Sequence, residues 1–570
     1  MLERVRERTV AEALADGLAA MGVTRAFGVS GGAISFFWAA LAGSGIEVTH
    51  FRHESGAGFA ACEASIVTGA PVLVFVTTGP GLTNVLTSVY AARHEGARVV
   101  LVGARTDDAY QGRAPIQETG PRTLPYEGIF TAGPLFDYAA SVTRAADLPA
   151  VVDALAEGMG RPAGFVAHVS LALSVQRAPV AAAEPGSPAT VPSADSPEPE
   201  PGPAGDAEAA YRTLRDRPWV MWVGRGAAQA AGSVRRLARA AGVPVMATPR
   251  GKGVFPEDDP AYLGVTGVAG HDSVRIHLER HSPEHVLVLG TRLGDSSSGF
   301  SEAYVPRSGF IHVDVDASVP GAAYPEASTT AVIGDAGTFC DRLAALFEAD
   351  GVERPAPDID PRPFDDRAAP PASTELIDPR DVMAAVQRVF VESGVLVMAE
   401  TGNALAWAVN RLRFDDPRHW RTCSGLVASM GHFATGVVGA ALVARNGAVA
   451  VVGDGAMLMA NEVSTAVHVG APAIWIVMND SRYNMCAQGV RALGLPAVDC
   501  AIPMTDFALL AEALGARGMV VRRAADLVPA FRSALALQRP VVVDVRIDPE
   551  PVAPAGGRHA GLLRDGAVSG

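Results

Sequence analysis

The sequence predicts an α/β protein of three doubly wound parallel-sheet domains, on three observations. Short apolar runs alternate with helix-periodic segments, a pattern that returns in three separate stretches of the chain. Two breaks in composition separate those stretches, and at 570 residues the chain exceeds what one core organises, at roughly 150 residues per domain. In the last stretch two of the apolar runs end in acidic residues, at Asp454 and Asp480.

The first stretch, residues 1–177, reads VLVFVTT, then GPGLTNVLTSVYAARHEG, then VVLVGA. Residues 178–206 are rich in Pro, Ala and Glu and bury too little apolar area to fold, so they are assigned as a linker. The second stretch, 207–350, carries WVMWVG, AAQAAGSVRRLARAAG and PVMAT. A Pro- and Asp-rich linker spans 351–375, and the third stretch, 376–550, carries AVAVVGDG, ANEVSTAVHVG and AIWIVMND before a tail at 551–570. Strand, helix, strand in this order is the pattern of parallel strands joined by crossovers.

Composition narrows the function. Hydrophobic residues at 49% and charged residues at 19% describe a globular chain with material for large cores. A net charge of −14 argues against a broad basic surface for nucleic acid or anionic lipid. The five cysteines stand far apart with no CxxC pair, which suits reduced thiols. The charged N-terminus MLERVRERTV has no signal-like apolar core, and no run reaches the roughly 20 apolar residues of a membrane span, so a cytoplasmic location is expected. Lys252 is the only lysine and sits in GKG, which removes a Walker A loop and leaves one candidate for Schiff-base chemistry.

Ligands of open parallel sheets bind at the carboxyl ends of strands. Asp454 and Asp480 occupy such ends on two successive strands, and paired carboxylates with oxygen ligands suit a hard cation such as Mg²⁺ or Ca²⁺. The flanking Gly453 and Gly455 are expected to let the backbone turn sharply and admit a bulky anion to the following helix N-terminus. The residues alone therefore read as a metal-bridged diphosphate site; for a lone GDG the competing reading is a strand-to-helix turn with Asp as cap.

GDG followed downstream by an Asn-Asp pair resembles the signature of thiamine diphosphate enzymes, and most of the chain is similar to the acetolactate synthase and pyruvate decarboxylase group. The resemblance implies pyrimidine-binding, middle and diphosphate-binding domains in that order. FRHESGAGFAA resembles the segment whose glutamate exchanges a proton with the cofactor's aminopyrimidine, here Glu54. TTGPGLTN is similar to the family's TSGPGATN and places Thr78 and Gly79 at the cofactor, while PIQE places Gln117 in the active site. In the last domain the resemblance assigns Thr401, Gly402, Asn403, Ala428, Met430, Gly453, Gly455, Ala456, Asp480, Tyr483, Asn484 and Met485 to the cofactor, Met430 as the apolar prop beneath it. Asp454 and Asp480 would bind Mg²⁺ through side chains and Arg482 through its carbonyl. Gly31, Cys486, Gln488 and Gly489 fall in the implied substrate pocket.

The implied activity is decarboxylation of a 2-oxo acid such as pyruvate with transfer of the fragment to a carbonyl acceptor, in a homodimer or homotetramer with active sites between subunits. The middle domain binds FAD in some relatives and nothing in others, so FAD is an open option. Several positions depart from the family pattern. Asp480 replaces an asparagine, Ala428 a glycine, Ser30 a proline, and Gln488-Gly489 stands where synthases end in Gln-Trp. Loss of that indole predicts a roomier acceptor side. The paired histidines typical of simple decarboxylases are missing from ARTDDAYQGRAPIQETG, which leaves a non-ligating decarboxylase or an oxidase as the alternative. Outside the class, GVSGG matches GxSxG and makes a serine hydrolase using Ser30 the rival. His277 and His281, four apart on a predicted helix, could face a metal, but Leu278 replaces the glutamate of HExxH, and a solvated helix face is the expectation.

Overall fold

The computed structural model describes residues 7–121, 123–124, 127–180, 205–364, 376–459 and 461–555. Most of the first linker (181–204), part of the second (365–375) and the end of the tail (556–570) lie outside the described residues. Three six-stranded sheets form, and every strand pair in them is parallel. Their strands are runs such as Val72–Val76, Trp219–Val223 and Ile474–Val477, buried on both faces, as strands covered by helices on either side must be. The alternation seen in the sequence is thus the architecture.

Counting strands along the chain within each sheet, the first and third share the spatial order 2-1-3-4-6-5, while the second runs 6-5-4-1-2-3. In the third sheet the strands Leu396–Ala399 and Ala448–Gly453 are neighbours although one strand intervenes in sequence. Chain direction reverses there, and a crevice opens beyond their carboxyl ends.

The first and third sheets are joined through two helices, Glu54–Thr68 and His432–Val443, which pack against one another. Both are rich in Ala and Gly and buried nearly all round, which allows close approach of the backbones. One apolar core runs from Phe27 and Val74 of the first sheet through Phe433 and Val437 to Trp475 of the third. A second core joins the middle and last domains, with Trp219 and Phe347 in it alongside Trp407 and Phe531. The three domains are one packed body, and the His432–Val443 helix starts beside the site described next.

Candidate active site

Strands Ala448–Gly453 and Ala473–Asn479 pair in register, with Gly453 opposite Met478. Asp454 and Asp480 therefore leave adjacent strand tips, as the sequence spacing implies. Asp454 is buried; its Oδ1 accepts the Gly455 N–H at 2.7 Å, and its Oδ2 is buried with no hydrogen-bond partner among the described residues. Burial raises the Asp454 carboxyl above its usual range, and nearby backbone N–H groups oppose that shift. Asp480 is pushed up to about 6, first by burial and then by the charge of Asp454, while Asn484 Nδ2 donates to its Oδ2 at 2.7 Å. A buried carboxylate with an idle oxygen, beside a second carboxylate whose proton affinity it raises, forms a donor set that fits a divalent cation.

The glycines flanking Asp454 work differently from the sequence expectation. Gly453 has an ordinary extended backbone, φ −79 and ψ 160, and Gly455 is not left-handed. Gly455 is needed for space: a Cβ there would lie 2.5 Å from the Tyr483 ring. The sharp reversal sits instead at Ser481, with φ 58, between Asp480 and Arg482. The Arg482 carbonyl accepts the Asn484 N–H at 2.9 Å and keeps a second lone pair.

These groups line a cavity of about 440 Å³. Of the residues singled out in the sequence, Thr401, Gly402, Asn403, Met430, Gly453, Asp454, Gly455, Ala456, Asp480, Arg482, Tyr483, Asn484, Met485, Cys486 and Gly489 all line it. Ala428 lines a neighbouring cavity instead, with φ 43. Gln488 does not line the main cavity: its Nε2 donates to Pro551 O at 3.1 Å and its Oε1 accepts the Ala553 N–H at 3.0 Å, fastening the chain that follows the last strand. Trp407, Met478, Val490, Leu493 and Ile547, which sequence reasoning did not single out, give one wall its apolar character.

Glu54, Thr78, Gly79, Gln117 and Gly31 are absent from this cavity. They form a second group on the first domain. Glu54 opens its helix, is buried, and accepts Asn84 Nδ2 at 3.1 Å; Thr78 Oγ1 donates to Gln117 Oε1 at 3.1 Å, with Gln117 in the left-handed region at φ 53. Glu54 and the Thr78–Gln117 pair thus lie apart from the cavity that Asp454 and Asp480 line.

Glu400 carries a role that sequence reasoning did not single out. Fully buried, it accepts the N–H groups of Phe433 and Ala434 at 2.8 and 2.9 Å and so fixes the start of the His432–Val443 helix beside Met430. The rival clusters have other partners. His277 and His281 stack at 4.2 Å, burial and the neighbouring ring push His277 down to about 4, and among the described residues no third ligand joins them. Cys62, Glu63 and His432 lie close enough to share a cation, but both Glu63 oxygens already receive the Arg421 guanidinium. Lys252 is fully buried on Glu257 at 2.6 Å and on Val409 O, so it ties the middle domain to the last. Ser30 has no hydrogen-bonded histidine among the described residues.

Three family models match, in chain order, one within each of the three sheet domains. Residues 8–122 match "Thiamine pyrophosphate enzyme, N-terminal TPP binding domain", 209–343 the central domain and 400–545 the C-terminal TPP binding domain. The chain belongs to the thiamine pyrophosphate enzymes. It is 27% identical to the acetolactate synthase large subunit of Corynebacterium glutamicum, over 97% of this chain and 90% of that protein. Identity to the acetolactate synthase large subunit of Parasynechococcus marenigrum is 28%, over 97% and 90%. In fold it is similar to benzoylformate decarboxylase from Polynucleobacter necessarius, with TM-score 0.79 and 18% identity over 96% of this chain and 99% of that one. The enzyme is acetolactate synthase-like and uses thiamine diphosphate; among the described residues no helix is long and apolar enough to cross a membrane.

Proposed function

We propose that the enzyme is a thiamine diphosphate- and Mg²⁺-dependent carboligase that decarboxylates pyruvate or a related 2-oxo acid and passes the fragment to a carbonyl acceptor larger than pyruvate. The observation that carries the reading is the pair Asp454 and Asp480 on adjacent strand tips, with Asp454 Oδ2 buried and unpartnered, opening into an apolar-walled cavity. The two carboxylates and the Arg482 carbonyl would hold Mg²⁺, and the metal would hold the diphosphate against Gly402, Asn403 and Gly455. Bound there, the cofactor supplies an electron sink for the carbanion left by loss of CO₂. The chain supplies the rest: Met430 and Met478 give an apolar surface, Glu54 holds or releases a proton in a buried setting, and Gly489 leaves the acceptor side open.

The same geometry supports a homodimer or homotetramer. Glu54 and Gln117 do not line the cavity of their own chain, so a second copy is read as completing each site, and the exposed Leu426, Leu458 and Met459 offer apolar surface for it. FAD in the middle domain stays an open option, which a visible spectrum of the purified protein decides.

The deciding experiment is product analysis by NMR and mass spectrometry with thiamine diphosphate, Mg²⁺ and pyruvate, first alone and then with a panel of larger aldehydes and 2-oxo acids as acceptors, alongside Glu54→Gln. An acyloin or acetohydroxy acid, lost in the variant, is the expected result. Free aldehyde as the sole product throughout would replace the carboligase with a decarboxylase.

A further inference from the structure

Glu462 stands outside the cavity and outside every motif singled out above, yet it is fully buried and both its oxygens accept from the start of the Glu54 helix. Its Oε1 and Oε2 accept the Arg52 N–H at 3.2 and 3.1 Å, and Oε1 also accepts the His53 N–H at 3.0 Å. Thr465 Oγ1 donates to Oε2 at 2.5 Å, and Arg52 Nε reaches Ser464 Oγ at 2.9 Å. Arg52 and Glu462 are 410 residues apart in sequence. The approach is so close that a Cβ on Gly56 would lie 2.5 Å from Glu462 Oε1.

Each donor faces an oxygen that must accept, and a carboxylate is the one group of this size that accepts through both ends. It carries its negative charge to the N-terminal end of a helix, where exposed N–H groups favour it. Glu54 is the first residue of that helix and His53 its cap, so the carboxylate from the last domain fixes the two peptide groups that immediately precede the Glu54 backbone. Glu462 itself lies on the connection that runs from the Gly453-Asp454-Gly455 turn to the Val463–Val469 helix. The strand tip that presents Asp454 and the peptide that presents Glu54 are therefore tied together through one side chain.

We propose that Glu462 is the positioning residue for Glu54: it sets, from the diphosphate-binding domain, the orientation in which Glu54 meets the cofactor's pyrimidine ring. This rests on the reading of Glu54 as the cofactor's proton partner. A purely structural carboxylate would stabilise the interface between the domains and leave the proton chemistry at Glu54 unchanged; a positioning residue alters that chemistry in a protein that stays folded.

The experiment compares the parent, Glu462→Gln and Glu54→Gln in the full chain. Amide hydrogen exchange of residues 50–60 is followed without cofactor, and C2 hydrogen–deuterium exchange of bound thiamine diphosphate by NMR without substrate. In Glu462→Gln the amide group turns an N–H₂ toward donors, so the Arg52 and His53 amides exchange faster, and C2 exchange slows by about tenfold, the range typical of losing an orienting partner. Gly56→Ala, which displaces the carboxylate without removing it, gives the same direction and serves if Glu462→Gln does not fold. Parent-like C2 exchange in both, while Glu54→Gln is slow, overturns the proposal. Parent-like C2 exchange in Glu54→Gln itself overturns the underlying reading of Glu54, a separate and distinguishable failure.

Discussion

Arg421 donates through Nε and Nη2 to the two carboxylate oxygens of Glu63, at 2.8 and 2.6 Å, although the residues are 358 apart in sequence and lie in different domains. The pair is fully shielded from water, and Arg421 Nη2 also reaches Glu95 Oε2 at 3.1 Å, where Arg250 of the middle domain arrives at 2.5 Å. His432 closes the cluster on Glu63 Oε1 at 2.8 Å. All three domains contribute a charge to one buried knot.

Arg421→Met should therefore destabilise far more than its lost packing. It leaves Glu63 and Glu95 buried with less compensation, a change of about 3–5 kcal/mol, read as a lower urea midpoint. The double variant Arg421→Met with Glu63→Gln should recover part of the loss, since it removes a stranded charge. Arg421 holds the Glu63 carboxyl well below its usual range against the cost of burial. A carboxyl whose folded pKa is depressed contributes stability above its unfolded pKa, and that contribution disappears as pH falls through and below the ordinary carboxylate range. The parent should thus lose stability on acidification more steeply than the double variant.

Asp480→Asn separates the apoprotein from the loaded one. Burial and the Asp454 charge both make the ionised Asp480 costly, so the asparagine variant without metal should melt higher than the parent. The removed carboxylate is also a proposed metal ligand, so the Mg²⁺- and cofactor-dependent rise in melting temperature should shrink. A higher apo melting temperature with an undiminished cofactor shift would mean that the negative charge of Asp480 adds nothing to metal binding.

Gly455→Ala tests whether the glycine is there for space. The new Cβ would meet the Tyr483 ring at 2.5 Å and drive it off the turn that presents Asp454. Cofactor affinity should fall while stability, read from the urea midpoint, drops by about 1–3 kcal/mol, the cost of overpacking. Gly455→Ala combined with Tyr483→Leu, which frees that space, should restore part of the affinity.

Much of this was legible because the signals are local. Apolar runs such as WVMWVG and AIWIVM state their strand character in five or six residues, and Asp454 and Asp480 declare themselves by standing at strand ends. What escaped the sequence is long-range. Nothing near NEVSTA says that Glu462 meets Arg52, and nothing around Trp420-Arg421-Thr422 announces Glu63, because each pairing depends on how two domains dock. Gln488 shows the same limit: nothing in its sequence neighbourhood announces that its amide is held by Pro551, Ala553 and Asn403. The inverted strand order of the middle sheet likewise follows from crossovers whose direction local composition does not encode.

Gly489→Trp bears on the acceptor. Cys486, Gly489, Val490 and Leu493 share one helix face along the cavity, and Gly489 is the position on that face with no side chain to fill space. An indole there would project into a volume of about 440 Å³, of which the diphosphate end is already committed to Asp454, Gly455 and Asn403. Transfer to a bulky carbonyl acceptor should then drop by about tenfold or more, since losing room for a large group costs at least as much as one misplaced methylene. Decarboxylation without an acceptor should stay near the parent rate, because the Asp454, Asp480 and Glu54 groups are untouched. Measuring both rates in one preparation separates the two steps. Equal acceptor rates in variant and parent would remove Gly489 from the acceptor pocket and with it the argument that the acceptor is larger than pyruvate.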